Sequence, residues 1–183
     1  MKHPRNTMML AFDAAPRGSP GYGLRKGLPF VIPLDKIDVQ TAIHEASHCV
    51  VSIVQGCQIT EVGIAQDGSG CCSRRARPNA VLPMESNAAI YVAGLCGNQI
   101  AGNMKHPRSY ARDLGKLRKL AKDAGMDDDA AYILYGRACG RSRTILKEFW
   151  PAVMAIATKL CKRRVLRGAE INQIFKEAIK CSP

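Results

Sequence analysis

The apolar residues of this chain repeat with the three-to-four-residue period of α-helices in six separate segments. This pattern is typical of helices that bury one face against a common core, and the mostly apolar surface of the first segment indicates a largely buried helix. The predicted helices span residues 34–55, 87–102, 109–124, 130–139, 142–163 and 169–180.

A different pattern follows the first helix, because residues 58–65 alternate between polar and apolar side chains and include β-branched residues. The sequence Asp67-Gly68-Ser69-Gly70 is typical of a tight turn, and residues 71–75 supply a returning strand. We therefore predict a mainly α domain over residues 33–183, with a small β-hairpin next to the first helix. Residues 1–32 are rich in proline and glycine and are predicted to form an extended or partly disordered N-terminal segment.

Several residues indicate where these helices begin, bend or approach one another. Ser86 and Ser109 precede apolar helical segments and are expected to be N-caps, whereas Pro151 is expected to kink helix 142–163. Gly94 and Gly97 have no side chain, so we expect them to let their helix approach the first helix closely.

The first helix carries the motif His44-Glu45-x-x-His48, which has the residue spacing of zinc hydrolases. Side chains four residues apart lie on the same face of a helix, so both imidazoles can reach one zinc ion. The glutamate between them can reach a water molecule on that metal. We therefore predict His44 and His48 as zinc ligands and Glu45 as the catalytic base.

A catalytic zinc site needs a third protein ligand, and the residue pattern leaves several candidates open. Asp113 falls in the first or second turn of helix 109–124, and His106 lies in the loop before that helix. The acidic cluster of Asp127, Asp128 and Asp129 is better explained as the cap of the next helix, because carboxylates stabilise a helix N-terminus.

The chain has 27 Lys and Arg residues against 15 Asp and Glu residues, which gives a net charge of +12. This charge favours acidic partners, but the basic residues are spread along the chain with few aromatic residues between them. We therefore do not expect a nucleic-acid-binding groove. The sequence shows neither an apolar run that could span a membrane nor a signal peptide, so we expect a cytoplasmic protein.

Seven of the eight cysteines fall into two groups. Cys57, Cys71 and Cys72 flank the predicted hairpin, where they could meet. The spacing C-x-x-C, which would favour a second zinc site, does not occur. Four others fall on predicted apolar helix faces, where a reduced thiol acts as a small hydrophobic group: Cys49, Cys96, Cys139 and Cys161.

Four segments, taken in order, resemble the peptidase domain of the FtsH-type AAA+ zinc proteases. Residues 44–51 (HEASHCVV) resemble the family's H-E-A-G-H-A segment, and residues 93–100 (AGLCGNQI) resemble its Gly-Gly-Arg-Ala-Ala-Glu helix. Residues 112–114 (RDL) resemble its Asn-Asp-Leu segment, and residues 160–171 (LCKRRVLRGAEI) resemble its C-terminal ending. The resemblance covers residues 36–180.

This resemblance implies a helical zinc-peptidase fold in which Asp113 is the third zinc ligand, beside His44 and His48. It also implies a homo-oligomer, since the family assembles as hexamers largely through this domain. The family's ATPase module and membrane anchor do not occur in these 183 residues. We therefore expect an ATP-independent zinc metallopeptidase that acts on peptides or unfolded protein. The alternatives are an inactive pseudo-protease that docks a partner through its basic surface, and a nucleic-acid-associated regulator.

Overall fold

A computed structural model gives the structure of the protein and describes residues 36–76, 82–102 and 107–180. The predicted extended segment 1–32 and the candidate ligand His106 lie outside these residues. The limits predicted for the domain, residues 33–183, stay a prediction.

The described residues form a mainly helical fold with one small antiparallel sheet, which confirms the helical class and the hairpin after the first helix. None of the described helices combines the length and the apolarity that crossing a membrane requires. The elements, in chain order, are α1 (Lys36–Val54), β1 (Gln58–Ile64), β2 (Gly70–Arg75), α2 (Met84–Ile100), α3 (Pro107–Asp123), α4 (Asp128–Glu148), α5 (Trp150–Arg163), β3 (Val165–Arg167) and α6 (Gly168–Lys180).

Helix α1 runs through the centre of the core, in contact with α2, α5 and the sheet. Ala42, Ala46, Cys49 and Val50 are completely buried, as expected for a helix that is apolar around most of its surface. The chain leaves α1 at Gly56, whose φ of +84° lies in the left-handed region that glycine adopts without steric cost. The sequence therefore predicted both the burial and the end of this helix.

Helix α2 packs directly on α1, and two glycines make this close approach possible. A methyl group at Gly97 would collide with the hydroxyl of Ser47, and one at Gly94 would overlap the ring of His44. The predicted close approach of the two helices is confirmed, and it occurs at the motif His44-Glu45-x-x-His48.

The sheet has the strand order β2-β1-β3, with both pairs antiparallel. Val62 of β1 lies opposite Cys72 of β2 on one side and Leu166 of β3 on the other. The sequence did not predict β3, because three residues are too few to show a strand period and only Leu166 is buried. Within the described residues, β2 pairs with β1 alone and is therefore an edge strand.

The serine caps were predicted wrongly. Helix α2 begins at Met84 after Pro83, which places Ser86 inside the helix, where it is buried. Helix α3 begins at Pro107, two residues before Ser109. Proline suits the first turn of a helix because its fixed φ is helical and its missing N–H has no helical partner there.

The predicted helix boundary between residues 139 and 142 was also wrong, because α4 continues from Asp128 to Glu148. Gly140 lies in open space within α4, so it costs only helix propensity and does not end the helix. The break comes at Phe149 instead, which leaves Pro151 in the first turn of α5 and not at a kink. The carboxylate of Asp127 accepts a hydrogen bond from the backbone N–H of Ala130 at 2.8 Å, which confirms the predicted cap.

Candidate metal centre

Two histidines on one face of α1 form the base of the site. One helical turn separates His44 and His48, so their rings lie edge to face with centroids 4.7 Å apart. Their Nε2 atoms are 3.1 Å apart. The helix alone therefore brings two nitrogen ligands together.

Helix α3 adds Asp113 to this pair. Its Oδ2 atom lies 3.1 Å from Nε2 of His44 and 3.0 Å from Nε2 of His48, so the three atoms form a nearly equilateral triangle. The exposed fractions of His44, His48 and Asp113 are only 3%, 7% and 8%. Ligand atoms bonded to one tetrahedral zinc ion are roughly 3.3 Å apart, so the triangle has a suitable size. These three residues form a buried cluster that can hold a metal ion.

The hydrogen bonds around His48 determine which of its nitrogens faces the cluster. The Nδ1–H group of His48 donates to the backbone carbonyl of Ile90 in α2 at 2.8 Å, which leaves Nε2 with a free lone pair in the neutral ring. This lone pair points at Nε2 of His44 and at a carboxylate oxygen of Asp113. These atoms can share either a proton carried by Nε2 of His44 or a metal ion that replaces that proton.

At Nδ1, packing and not a hydrogen bond supports the ring of His44. The ring lies over Gly94 of α2, and its centroid is 5.8 Å from that of Tyr110 in α3. The hydroxyl of Tyr110 accepts a hydrogen bond from the side chain of Asn98 at 3.2 Å, which ties α3 to α2. Within the described residues, Nδ1 of His44 has no hydrogen-bond partner. The orientation of this imidazole therefore depends on the shape of the cleft between α2 and α3.

Lys116 holds the second oxygen of Asp113. Its ammonium group donates to Oδ1 at 2.9 Å from the next turn of α3. Burial on its own would raise the pKa of Asp113, but the contacts with His44, His48 and Lys116 outweigh this effect and hold the pKa well below its usual range. Asp113 is therefore ionised at neutral pH, the form in which a carboxylate can bind a metal ion.

Glu45 lies beside the cluster, with an exposed fraction of 6%. Burial raises the pKa of its carboxyl group to about 7, the nearby His44 opposes this rise, and the negative charge of Asp113 adds to it. The positive charges of Lys116 and Arg112 lower the pKa by smaller amounts. A carboxyl group that titrates near neutrality can both accept and return a proton.

The hairpin brings backbone next to Glu45. The first residue of β2, Gly70, is so close to this side chain that a methyl group there would lie 2.5 Å from Cγ of Glu45 and closer still to Oε1. The hydroxyl of Thr41 in α1 donates to the carbonyl of Gly68 at 2.9 Å and holds the turn in place. Sequence reasoning missed the contacts of Thr41, Gly70 and Lys116. The glycines of the turn were a local signal for the first two contacts, and the i,i+3 spacing of Asp113 and Lys116 was a local signal for the third.

Cys57, Cys71 and Cys72, which by sequence could meet at the hairpin, have different neighbours. Successive residues of β2 point to opposite faces, so Cys71 is exposed while Cys72 turns towards α1. The Sγ atom of Cys72 lies 3.5 Å from that of Cys49, and Cys57 accepts a hydrogen bond from Arg74. The strand alternation therefore separates these side chains.

Neither a protein-family model nor a curated protein sequence matches this chain. Any functional assignment therefore depends on the residues and the geometry of the site itself.

Proposed function

We propose that this protein is a zinc-dependent metallopeptidase that acts on peptides or unfolded protein. His44, His48 and Asp113 would hold the metal, and Glu45 would act as the general base. The observation that carries the proposal is the convergence of three ligand atoms within 3.1 Å of one another, beside a buried carboxyl group on the same helix turn.

The donor set favours zinc among the biological metals. Two imidazole nitrogens and one carboxylate oxygen are typical of catalytic zinc sites, which keep a fourth position for water or substrate. When bound, zinc lowers the pKa of its water and polarises the substrate carbonyl. The resemblance of residues 44–51 and 112–114 to the FtsH-type peptidases supports the same choice.

The side chains of the protein would carry out the proton transfer and position the metal ligands. Glu45 would take the proton from the attacking water and return it to the departing amine. His48 is oriented by Ile90, and Asp113 is kept ionised by Lys116. Each of these contacts stabilises the arrangement before substrate binds.

The edge of β2 that has no neighbouring strand among the described residues is a suitable place for the substrate backbone. An extended peptide can add to a sheet edge through main-chain hydrogen bonds, and β2 begins beside Glu45. A peptide bound in this way would present a carbonyl group to the metal centre. This arrangement accounts for the position of the hairpin next to α1.

The first test is the zinc content of the purified chain, measured beside two variants of α3. We expect about one zinc per chain in the wild type and clear loss in Asp113→Ala, because removing one of three ligands weakens the site strongly. Asp123→Ala is a matched control, since Asp123 is exposed on the same helix and forms a salt bridge with Lys119. Wild-type protein that takes up no added zinc would overturn the proposal.

The second test is cleavage of a fluorescently labelled unfolded casein. Glu45→Gln should retain zinc and lose cleavage, because the amide cannot accept the proton. A zinc-loaded wild type that does not cleave would favour the pseudo-protease alternative. Undiminished cleavage by Glu45→Gln would show that another group is the base.

A further inference from the structure

One face of the edge strand β2 is turned towards the helices and carries a charged residue. Gly70, Cys72 and Arg74 alternate along this face and contact Glu45, Cys49 and α2 in turn. Gly70 and Arg74 are four residues apart, a distance of roughly 13 Å along a strand. The face therefore leads from the proposed catalytic base to the guanidinium of Arg74.

Neutral groups hold the guanidinium of Arg74 in place. It donates to the side-chain oxygen of Asn87 at 3.2 Å and to Sγ of Cys57 at 3.5 Å, and it lies over the ring of Tyr91, 5.6 Å from the centroid. Within the described part of the chain, Arg74 forms no salt bridge. These contacts position the charge but leave it uncompensated.

A second cation lies on the same aromatic ring. The ammonium group of Lys116 is 5.9 Å from the centroid of Tyr91 and contacts Asp113. Arg112, exposed on α3, adds a third positive charge close enough to act on Glu45. The side of the site between β2 and α3 is therefore lined by cations, in a protein with a net charge of +12.

We propose that this metallopeptidase selects acidic substrate segments, with a carboxylate of the bound peptide opposite Arg74, about four residues from the cleaved bond. This inference rests on the proposed function. Side chains directly opposite each other on paired strands lie on the same face of the sheet, so a peptide residue paired with Arg74 would project towards Tyr91. Aspartate or glutamate at that position would supply the missing negative partner for the guanidinium.

The position of Arg74 also provides a matched control. Arg75 carries the same charge on the next residue of β2, but it projects from the opposite, exposed face. A general attraction between a basic protein and an acidic peptide would depend on both residues alike. A subsite at Arg74 would depend on Arg74 alone.

The test uses quenched-fluorescence peptides that differ only in whether Asp or Asn stands three to five residues from the cleaved bond, on either side. We expect the acidic peptide to have a kcat/KM about fivefold higher or more, as for an opposite-charge cross-strand pair with a direct hydrogen bond. Arg74→Gln should abolish this preference, Arg75→Gln should keep it, and Arg74→Lys should keep most of it. Arg74→Glu should reverse the preference towards a lysine peptide.

Binding to zinc-loaded Glu45→Gln separates the two proposals. It is measured by fluorescence anisotropy of peptides with the same sequences that carry the fluorophore without the quencher. Cleavage of Asp and Asn peptides at equal rates would overturn the acidic preference and leave the peptidase intact. An equal effect of Arg74→Gln and Arg75→Gln would overturn the subsite. Acidic-peptide binding that depends on Arg74, without cleavage by the wild type, would support the subsite as a peptide-binding site and overturn the enzymatic function. Absence of both binding and cleavage would overturn both proposals.

Discussion

Replacing Gly94 by alanine tests whether packing against α2 positions His44 as a metal ligand. The added methyl group would lie 2.5 Å from Nε2 of His44 and closer still to Cε1 and Nδ1. Non-bonded carbon atoms approach each other to about 3.5 Å, so the ring must retreat by about 1 Å. The ring has little room for this movement, because His44 is almost completely buried and packs against Tyr110 on α3.

A displacement of about 1 Å exceeds the tolerance of a metal–ligand bond, which is about 0.2 Å. Mutation of a residue that only orients a metal ligand lowers metal affinity by about 10-fold to 100-fold. Displacement of His44, a proposed ligand itself, should therefore lower zinc affinity by at least about 100-fold. This corresponds to about 3 kcal/mol of binding free energy. Overpacking should also lower the free energy of unfolding by about 1–3 kcal/mol.

The assay is a zinc competition titration against a fluorescent chelator, combined with urea unfolding of the metal-free protein. Gly115→Ala is the matched control, because Gly115 lies on α3 near Asp113 but a methyl group there would meet nothing within 4 Å. This control should bind zinc as the wild type does and gain about 0.5–1 kcal/mol of stability from its helix propensity. Wild-type zinc affinity in Gly94→Ala would refute the reasoning, since His44 would then not be a ligand held against Gly94.

Two further predictions concern a buried charge and a close backbone contact. In protein kept metal-free with EDTA, burial raises the pKa of Glu45 from the ordinary value of 4.5 to about 7. The stability that this raised pKa contributes is therefore fully present below about pH 4.5 and is lost as the pH rises through about 7. Urea unfolding should therefore show Glu45→Gln close to wild type at pH 4.5 and about 3 kcal/mol more stable near pH 8. A difference in unfolding free energy that does not change with pH would contradict the burial of the charge. A methyl group at Gly168 would lie 2.9 Å from the backbone carbonyl carbon of Ile59, so Gly168→Ala should lower the unfolding free energy by about 2 kcal/mol or more. Gly140→Ala, at an open helical position, should raise that free energy slightly, and equal stability of the two variants would refute the contact.

The sequence by itself determined what depends on neighbouring residues along the chain. Helical geometry places His44, Glu45 and His48 in one turn of α1 whatever surrounds that helix. The hairpin followed from strand alternation and a glycine-rich turn, and the close approach of α1 and α2 followed from Gly94 and Gly97. Helix ends were less predictable, because serine and proline can each occupy several positions near a helix start, as Ser86 and Pro151 show.

Only the tertiary structure decided which distant residues lie beside the turn of α1 that carries His44, Glu45 and His48. The spacing of residues left Asp113, His106 and the acidic cluster at 127–129 as candidate ligands, and resemblance alone favoured Asp113. The packing of α3 against α2 brings its carboxylate to the histidines across more than sixty residues of sequence. The contacts of Gly70 with Glu45 and of Arg74 with Tyr91 arise in the same way. A periodic pattern reports which face of an element is buried, whereas the partner of that face depends on how all the elements pack together.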